Sequence, residues 1–124
     1  MKIIETPKGV KPQGPYSQGI VANGFVFVSG TVGIDPKTGM MVSGGINEQT
    51  KQTLENIKAV LEAAGSSIDK VVKASVFLKD GGHFKDMNAV YSGVMGAHKP
   101  CRTTVATGFA RDDVLVEIDV VAVQ

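Results

Sequence analysis

Along this chain the hydrophobic positions switch between a period of two and a helical period, and the switches outline its elements. In "IVANGFVFVSG" (20–30) two short apolar runs flank Asn23–Gly24, a strong signal for a two-residue hairpin. Alternation puts Phe25, Phe27 and Ser29 on one face of the second strand and Val26 and Val28 on the other. "IDPKTG" (34–39) is a turn, and the tract to Gly45 is an irregular loop or a short strand pair. From Asn47, a plausible N-cap followed by Glu48, the period changes to helical. Thr50, Thr53, Leu54, Ile57, Val60, Leu61 and Ala64 form one stripe, and Gly65 is the expected stop.

"SSID" (66–69) caps one short turn, and the β-branched "KVVKASVFL" (70–78) reads as a strand. A second helix is expected from about Gly82 to Gly96, packing through Phe84, Met87, Val90, Tyr91 and Val94. Strands follow at about 102–106 and 114–123. In the last, Val114, Val116, Ile118, Val120 and Ala122 share an apolar face, with Leu115, Glu117, Asp119 and Val121 on the other. The order strand, strand, helix, strand, helix, strand, strand predicts an α+β sandwich with both helices on one face of a sheet. Strands 71–78 and 114–122 are apolar on both sides and no third helix is available, so the other face is expected to be covered by a ring-like homo-oligomer.

Length and composition narrow the function. The 124 residues fit one domain, 1–124, with 43% hydrophobic and 20% charged residues. A net charge of +1 gives no broad footprint for nucleic acid, and no apolar run approaches a membrane span. The single cysteine forms no internal disulfide, which points to a reducing, cytoplasmic setting. One Cys and two His make a poor zinc set.

The candidate chemistry centres on "HKPCRTTVA" (98–106). Alternation places Arg102 and Thr104 on one side of their strand, with Thr103 and Val105 on the other. Arg102 is either a solvated or ion-paired charge or a planar fork for a small carboxylate, its approach stiffened by Pro100. Cys101 reads as a packed thiol, since it faces away from Arg102 and His98 is not positioned as its base. Glu117, an acid on an otherwise apolar strand, is either a structural ion-pair partner or the holder of a reactive water; Asp119 reads as a rim charge. In "GPYSQG" (14–19) Tyr16 packs over the core or covers a small ligand. In "VSGT" (28–31) Ser29 and Gly30 bring a bare backbone N–H to a strand end, without the spacing or lysine of a phosphate-binding loop.

Together "GPYSQG", "VFVSGTVGIDPKTG", "QTLENIKAVLEAAGSSIDKVVKASVFLKD", "NAVYSGV", "PCRTTV" and "VEIDVVAV" resemble the RidA family, also called YjgF or endoribonuclease L-PSP, in order over nearly the whole chain. The resemblance implies a chorismate-mutase-like α+β fold, assembled as a homotrimer around a central β-barrel, with clefts between subunits. It implies a deaminase that hydrolyses 2-aminoacrylate or 2-iminobutanoate, released by pyridoxal-phosphate enzymes, to 2-oxoacids and ammonia. No metal or cofactor is implied. Arg102 matches the carboxylate clamp, Glu117 the residue that positions or activates water, and Tyr16, Ser29 and Gly30 the cleft lining. Thr104, beside Arg102 in the pocket, stands where many active members carry Cys. Lys99–Pro100–Cys101 and Gly108–Phe109 also depart from the usual residues, and the segment before Arg102 is short, all of which bear on rate and substrate range. Two other readings compete: a non-catalytic binder of 2-oxoacids using the same cleft, and the ribonuclease or translation inhibitor of the family's other name.

Overall fold

Asn23 and Gly24 both adopt positive φ, 56° and 80°, and this left-handed pair closes the first hairpin. The computed structural model describes residues 1–124. Its strands are β1 (Lys2–Ile4), β2 (Gly19–Ala22), β3 (Phe25–Thr31), β4 (Val71–Leu78), β5 (Cys101–Ala106) and β6 (Val116–Val123). The helices are α1 (Ile46–Ala63) and α2 (Phe84–Met95), with single 3₁₀ turns at Ile68–Lys70 and Gly81–His83. The six strands form one mixed sheet in the order β1-β2-β3-β6-β4-β5. All pairs are antiparallel except β4 and β5, whose parallel pairing requires the crossover that α2 provides.

Both helices cover one face, as the hydrophobic pattern predicts. Val26 and Val28 of β3, Ala74, Val76 and Leu78 of β4, and Val116, Ile118, Val120 and Ala122 of β6 turn inward. They meet Leu54, Ile57, Val60 and Leu61 of α1 and Met87, Tyr91 and Met95 of α2. The opposite face carries no helix. There Phe25 and Phe27 lie with ring centroids 6.5 Å apart, 41% and 47% exposed, with exposed Val123 paired opposite Phe25 and exposed Val105 further across the sheet on β5. No helix is long and apolar enough to cross a membrane.

Three local expectations need correction. The edge strand β1 was not foreseen, because its three residues are too few to show a period. Helix α1 begins at Ile46 with Gly45 as its N-cap, not at Asn47. The Glu48 carboxylate accepts the Gly45 N–H at 2.9 Å and Ile46 is buried, so packing and back-bonding together move the start. In α2, Phe84 is 46% exposed, and Met95 at the other end of the helix joins Met87 and Tyr91 in the core instead.

Candidate active site

The chain holds two separate constellations. The first lies where β3 is bulged: Val28 pairs with Val120 and Thr31 with Ile118, so Ser29 and Gly30 together stand opposite the single residue Asp119. The bulge leaves room for an acid. A Cβ on Gly30 would sit 2.6 Å from Glu117 Oε2, so only glycine allows that carboxylate its place. Ser29 Oγ donates to the Ser17 carbonyl at 2.5 Å and Ser29 N–H to that of Gln18 at 3.0 Å, which ties the Tyr16 loop to the bulge. Buried Gln18 completes the tie. Its Oε1 accepts the Thr6 N–H at 2.7 Å, and its Nε2 donates to the carbonyls of Thr6 and Val10 at 3.0 and 2.8 Å.

These groups line a cavity of about 210 Å³ with Tyr16, Asn56, Phe109 and Arg111. Tyr16 is half-exposed, its hydroxyl accepting the Gln13 N–H at 3.3 Å. Two buried amides of α1 hold the remaining wall. Asn56 Nδ2 donates to the carbonyls of Val32 and Ile34 at 3.0 and 2.8 Å. Gln49 donates to the Asp113 carbonyl at 2.8 Å and accepts the Leu115 N–H at 2.9 Å. Arg111 forks onto Asp113 at 2.7 and 3.0 Å on the rim. Glu117 has no ion-pair partner. Burial, with Asp119 repelling it from two residues away, raises its carboxyl above the usual carboxylate range.

The second constellation lies at the β5 edge. Arg102 pairs in register with Ala74 and Thr104 with Val76, so both point to the helix-covered face. Arg102 forms no ion pair; its Cζ lies 4.8 Å from the Tyr91 ring centroid and 5.8 Å from that of Phe84. Asn88, His98, Lys99 and Pro100 line the shallow cleft around it. The Thr104 hydroxyl is buried without a partner. Cys101 pairs with Lys73 on the open face, away from Arg102 as alternation predicts, but it is exposed there and not the packed thiol expected, because no helix covers that face. His98 Nε2 lies 2.6 Å from the Val71 carbonyl, a bond that uses its imidazole to fasten the α2–β5 connection to β4.

Tyr16, Ser29, Gly30 and Glu117 are therefore brought together, and so are Arg102 and Thr104, but the two sets are not brought together within one chain. The possibility that Glu117 pairs with Arg102 as a structural ion pair is overturned for the single chain, because the two side chains leave opposite faces of the sheet. Sequence reasoning missed Gln18, Gln49, Asn56, Asn88 and Arg111. For Gln49 and Asn56 a signal existed: two amides seven residues apart beside the apolar stripe of α1, where a buried polar group needs partners. No group of three His, Cys, Asp or Glu side chains converges anywhere in the chain.

Comparison with known proteins places this arrangement. The family model described as endoribonuclease L-PSP matches residues 6–124. The chain belongs to the endoribonuclease L-PSP family, which includes the RutC and Rid proteins. A RutC family protein of Pyrococcus horikoshii is 50% identical over 121 residues, covering 98% of this chain and 96% of the relative. The human 2-iminobutanoate/2-iminopropanoate deaminase is 35% identical over 123 residues, covering 99% and 90% respectively. Among solved structures, E. coli TdcF with bound serine superimposes with a TM-score of 0.94 at 35% identity, covering 100% of this chain and 99% of that one. The two helices on one face of a mixed six-stranded sheet are thus the L-PSP family fold.

Proposed function

We propose that this chain hydrolyses small 2-imino acids to 2-oxoacids and ammonia, in a cleft that a second copy completes. The observation that carries the reading is the separation of two unpaired groups, the Arg102 guanidinium at the β5 edge and the Glu117 carboxylate at the bulge. Each is free for a ligand, and neither can reach the other in its own chain. A homotrimer closed through the helix-free face would bury Phe25, Phe27, Val105 and Val123 in a central barrel and set the β5 edge of one copy against the bulge of the next.

In that cleft Arg102 binds the substrate carboxylate bidentately. Glu117, poised by its raised pKa, takes a proton from water as the oxygen attacks the imine carbon. Attack on the protonated imine gives a neutral carbinolamine, and Glu117 passes the proton it took to the nitrogen. Ammonia leaves as the carbinolamine hydroxyl gives its proton back to the Glu117 carboxylate, which leaves the 2-oxoacid. Tyr16 covers the ligand, the Ser29–Gly30 backbone lines it, and Thr104 borders it beside Arg102. The substrate is electrophilic already, so positioning and proton transfer suffice without a covalent nucleophile or a cofactor. The human relative's name supports the reaction, and the amino acid bound to TdcF supports a carboxylate ligand. The physiological setting in this reading is the cytoplasm, where pyridoxal-phosphate enzymes release such imines.

The test generates 2-aminoacrylate with a serine or threonine dehydratase and follows its loss. Faster loss with the wild type, but not with Arg102→Ala, is the expected result. Equal loss with and without the wild type, for both 2-aminoacrylate and 2-iminobutanoate, overturns the reaction and leaves 2-oxoacid binding as the function. Ribonuclease chemistry needs a positioned acid–base pair; of the two histidines, His98 already bonds the Val71 carbonyl.

A further inference from the structure

The way Arg102 is held is as informative as what it faces. A guanidinium in a protein is commonly oriented by a carboxylate, which consumes the N–H edges that a ligand would use. Here no carboxylate is in ion-pair range. The guanidinium carbon instead lies 4.8 Å from the Tyr91 ring centroid and 5.8 Å from that of Phe84, both supplied by α2 two turns apart. An aromatic face attracts a cation through its quadrupole and takes none of its hydrogen-bonding capacity.

Two details separate this role from ordinary packing. Tyr91 is 7% exposed and its hydroxyl is buried without a partner, so its contribution to the site lies in the ring rather than the hydroxyl. Phe84 is 46% exposed, so its place beside the cation is not a by-product of core burial.

We propose that Tyr91 and Phe84 are positioning residues that hold the Arg102 guanidinium by its faces, leaving its N–H edges directed at the carboxylate of a small 2-imino or 2-oxo acid. The proposal rests on the reading of Arg102 as the substrate clamp and adds the device that keeps it unpaired and oriented.

The experiment is calorimetric titration of the assembled protein with 2-oxobutanoate, with melting temperature and sedimentation measured on every variant. Tyr91→Leu is expected to weaken binding about tenfold and Phe84→Leu about threefold, the range of a partly desolvated cation–π contact. Tyr91→Phe is expected to restore what Tyr91→Leu loses, because the ring returns without the unpartnered hydroxyl. In turnover of 2-aminoacrylate the leucine variants should raise KM while kcat stays within about twofold. Phe84→Leu, at an exposed position, keeps the test open if Tyr91→Leu fails to fold. If Arg102→Ala abolishes binding while both leucine variants bind like the wild type, the aromatic cradle is wrong and the clamp stands. If Arg102→Ala itself binds like the wild type, the clamp reading fails and the cradle with it. Equal weakening by Tyr91→Phe and Tyr91→Leu also overturns the proposal, since it assigns the effect to the hydroxyl.

Discussion

Arg102 and Glu117 leave opposite faces of one sheet: Arg102 lies in a row with Ala74 and Val120 under the helices, Glu117 in a row with Phe77 and Val105 on the face without them. A site that uses both must draw them from different copies. Arg102→Ala and Glu117→Gln are each expected to be inactive alone. When the two are unfolded and refolded together, about a quarter of the sites should receive both native groups, with activity recovered in proportion. Absence of recovery in verified mixed oligomers would show that both groups act from one chain.

The raised pKa of Glu117 sets a pH dependence. In the proposed reaction Glu117 takes a proton from water, and for that it must be ionised. kcat/KM should therefore fall as pH drops through a value above the ordinary 4.5 for a glutamate. Stability runs the other way. The folded state holds this proton more tightly than the unfolded one, so the group favours folding below 4.5 and that contribution is lost as pH rises through the folded value. Glu117→Gln should raise the melting temperature at pH 7, the advantage closing below pH 4.5.

Two nearby glycines should respond differently to alanine. At Gly30 the new methyl meets the carboxylate end of Glu117 at 2.6 Å, and that flexible side chain can turn away. Gly30→Ala should fold normally and, on the proposed role of Glu117, lose roughly tenfold to a hundredfold in kcat through displacement of its carboxylate. At Gly33 the methyl meets Gln49 backbone atoms at 2.8 and 3.0 Å, inside a helix that cannot yield. Gly33→Ala should cost about 1–3 kcal/mol of stability, measured by urea unfolding.

Asn56→Ala removes the donor for two carbonyls, those of Val32 and Ile34, in a buried setting. The expected loss is about 2–4 kcal/mol, seen as a lower urea midpoint at unchanged slope. A loss below about 0.5 kcal/mol would mean that water replaces the amide.

Phe27→Asp places a charge on the helix-free face, where the native ring is 47% exposed in the single chain. Sedimentation should show monomers that retain the wild-type far-ultraviolet circular dichroism and do not hydrolyse 2-aminoacrylate. A variant that still assembles would place the interface elsewhere.

Much of this architecture is written locally. The Asn23–Gly24 turn, the α1 stripe and the alternation of β6 depend on neighbours within a few residues, where backbone sterics and side-chain period act directly. The same alternation assigns Arg102 and Cys101 to opposite faces, and an acid among the apolar residues of β6 marks Glu117. The start of α1 departs from the pattern because the burial of Ile46 and the return bond of Glu48 outweigh the capping preference of Asn47. Phe84 departs because helical spacing does not distinguish a ring that faces the core from one that faces a cation.

Local pattern is enough for the helices, five of the six strands, most of the inward residues and the candidate chemical groups, all properties of short segments. Which groups meet depends on the assembled sheet. The parallel register of β5 on β4 and the antiparallel register of β6 turn Arg102 and Glu117 to opposite faces, and the bulge at Ser29–Gly30 makes the space in which Glu117 sits. Those relations join residues far apart in the chain, and they follow from hydrogen-bond register and packing across the whole sheet, which no local period encodes.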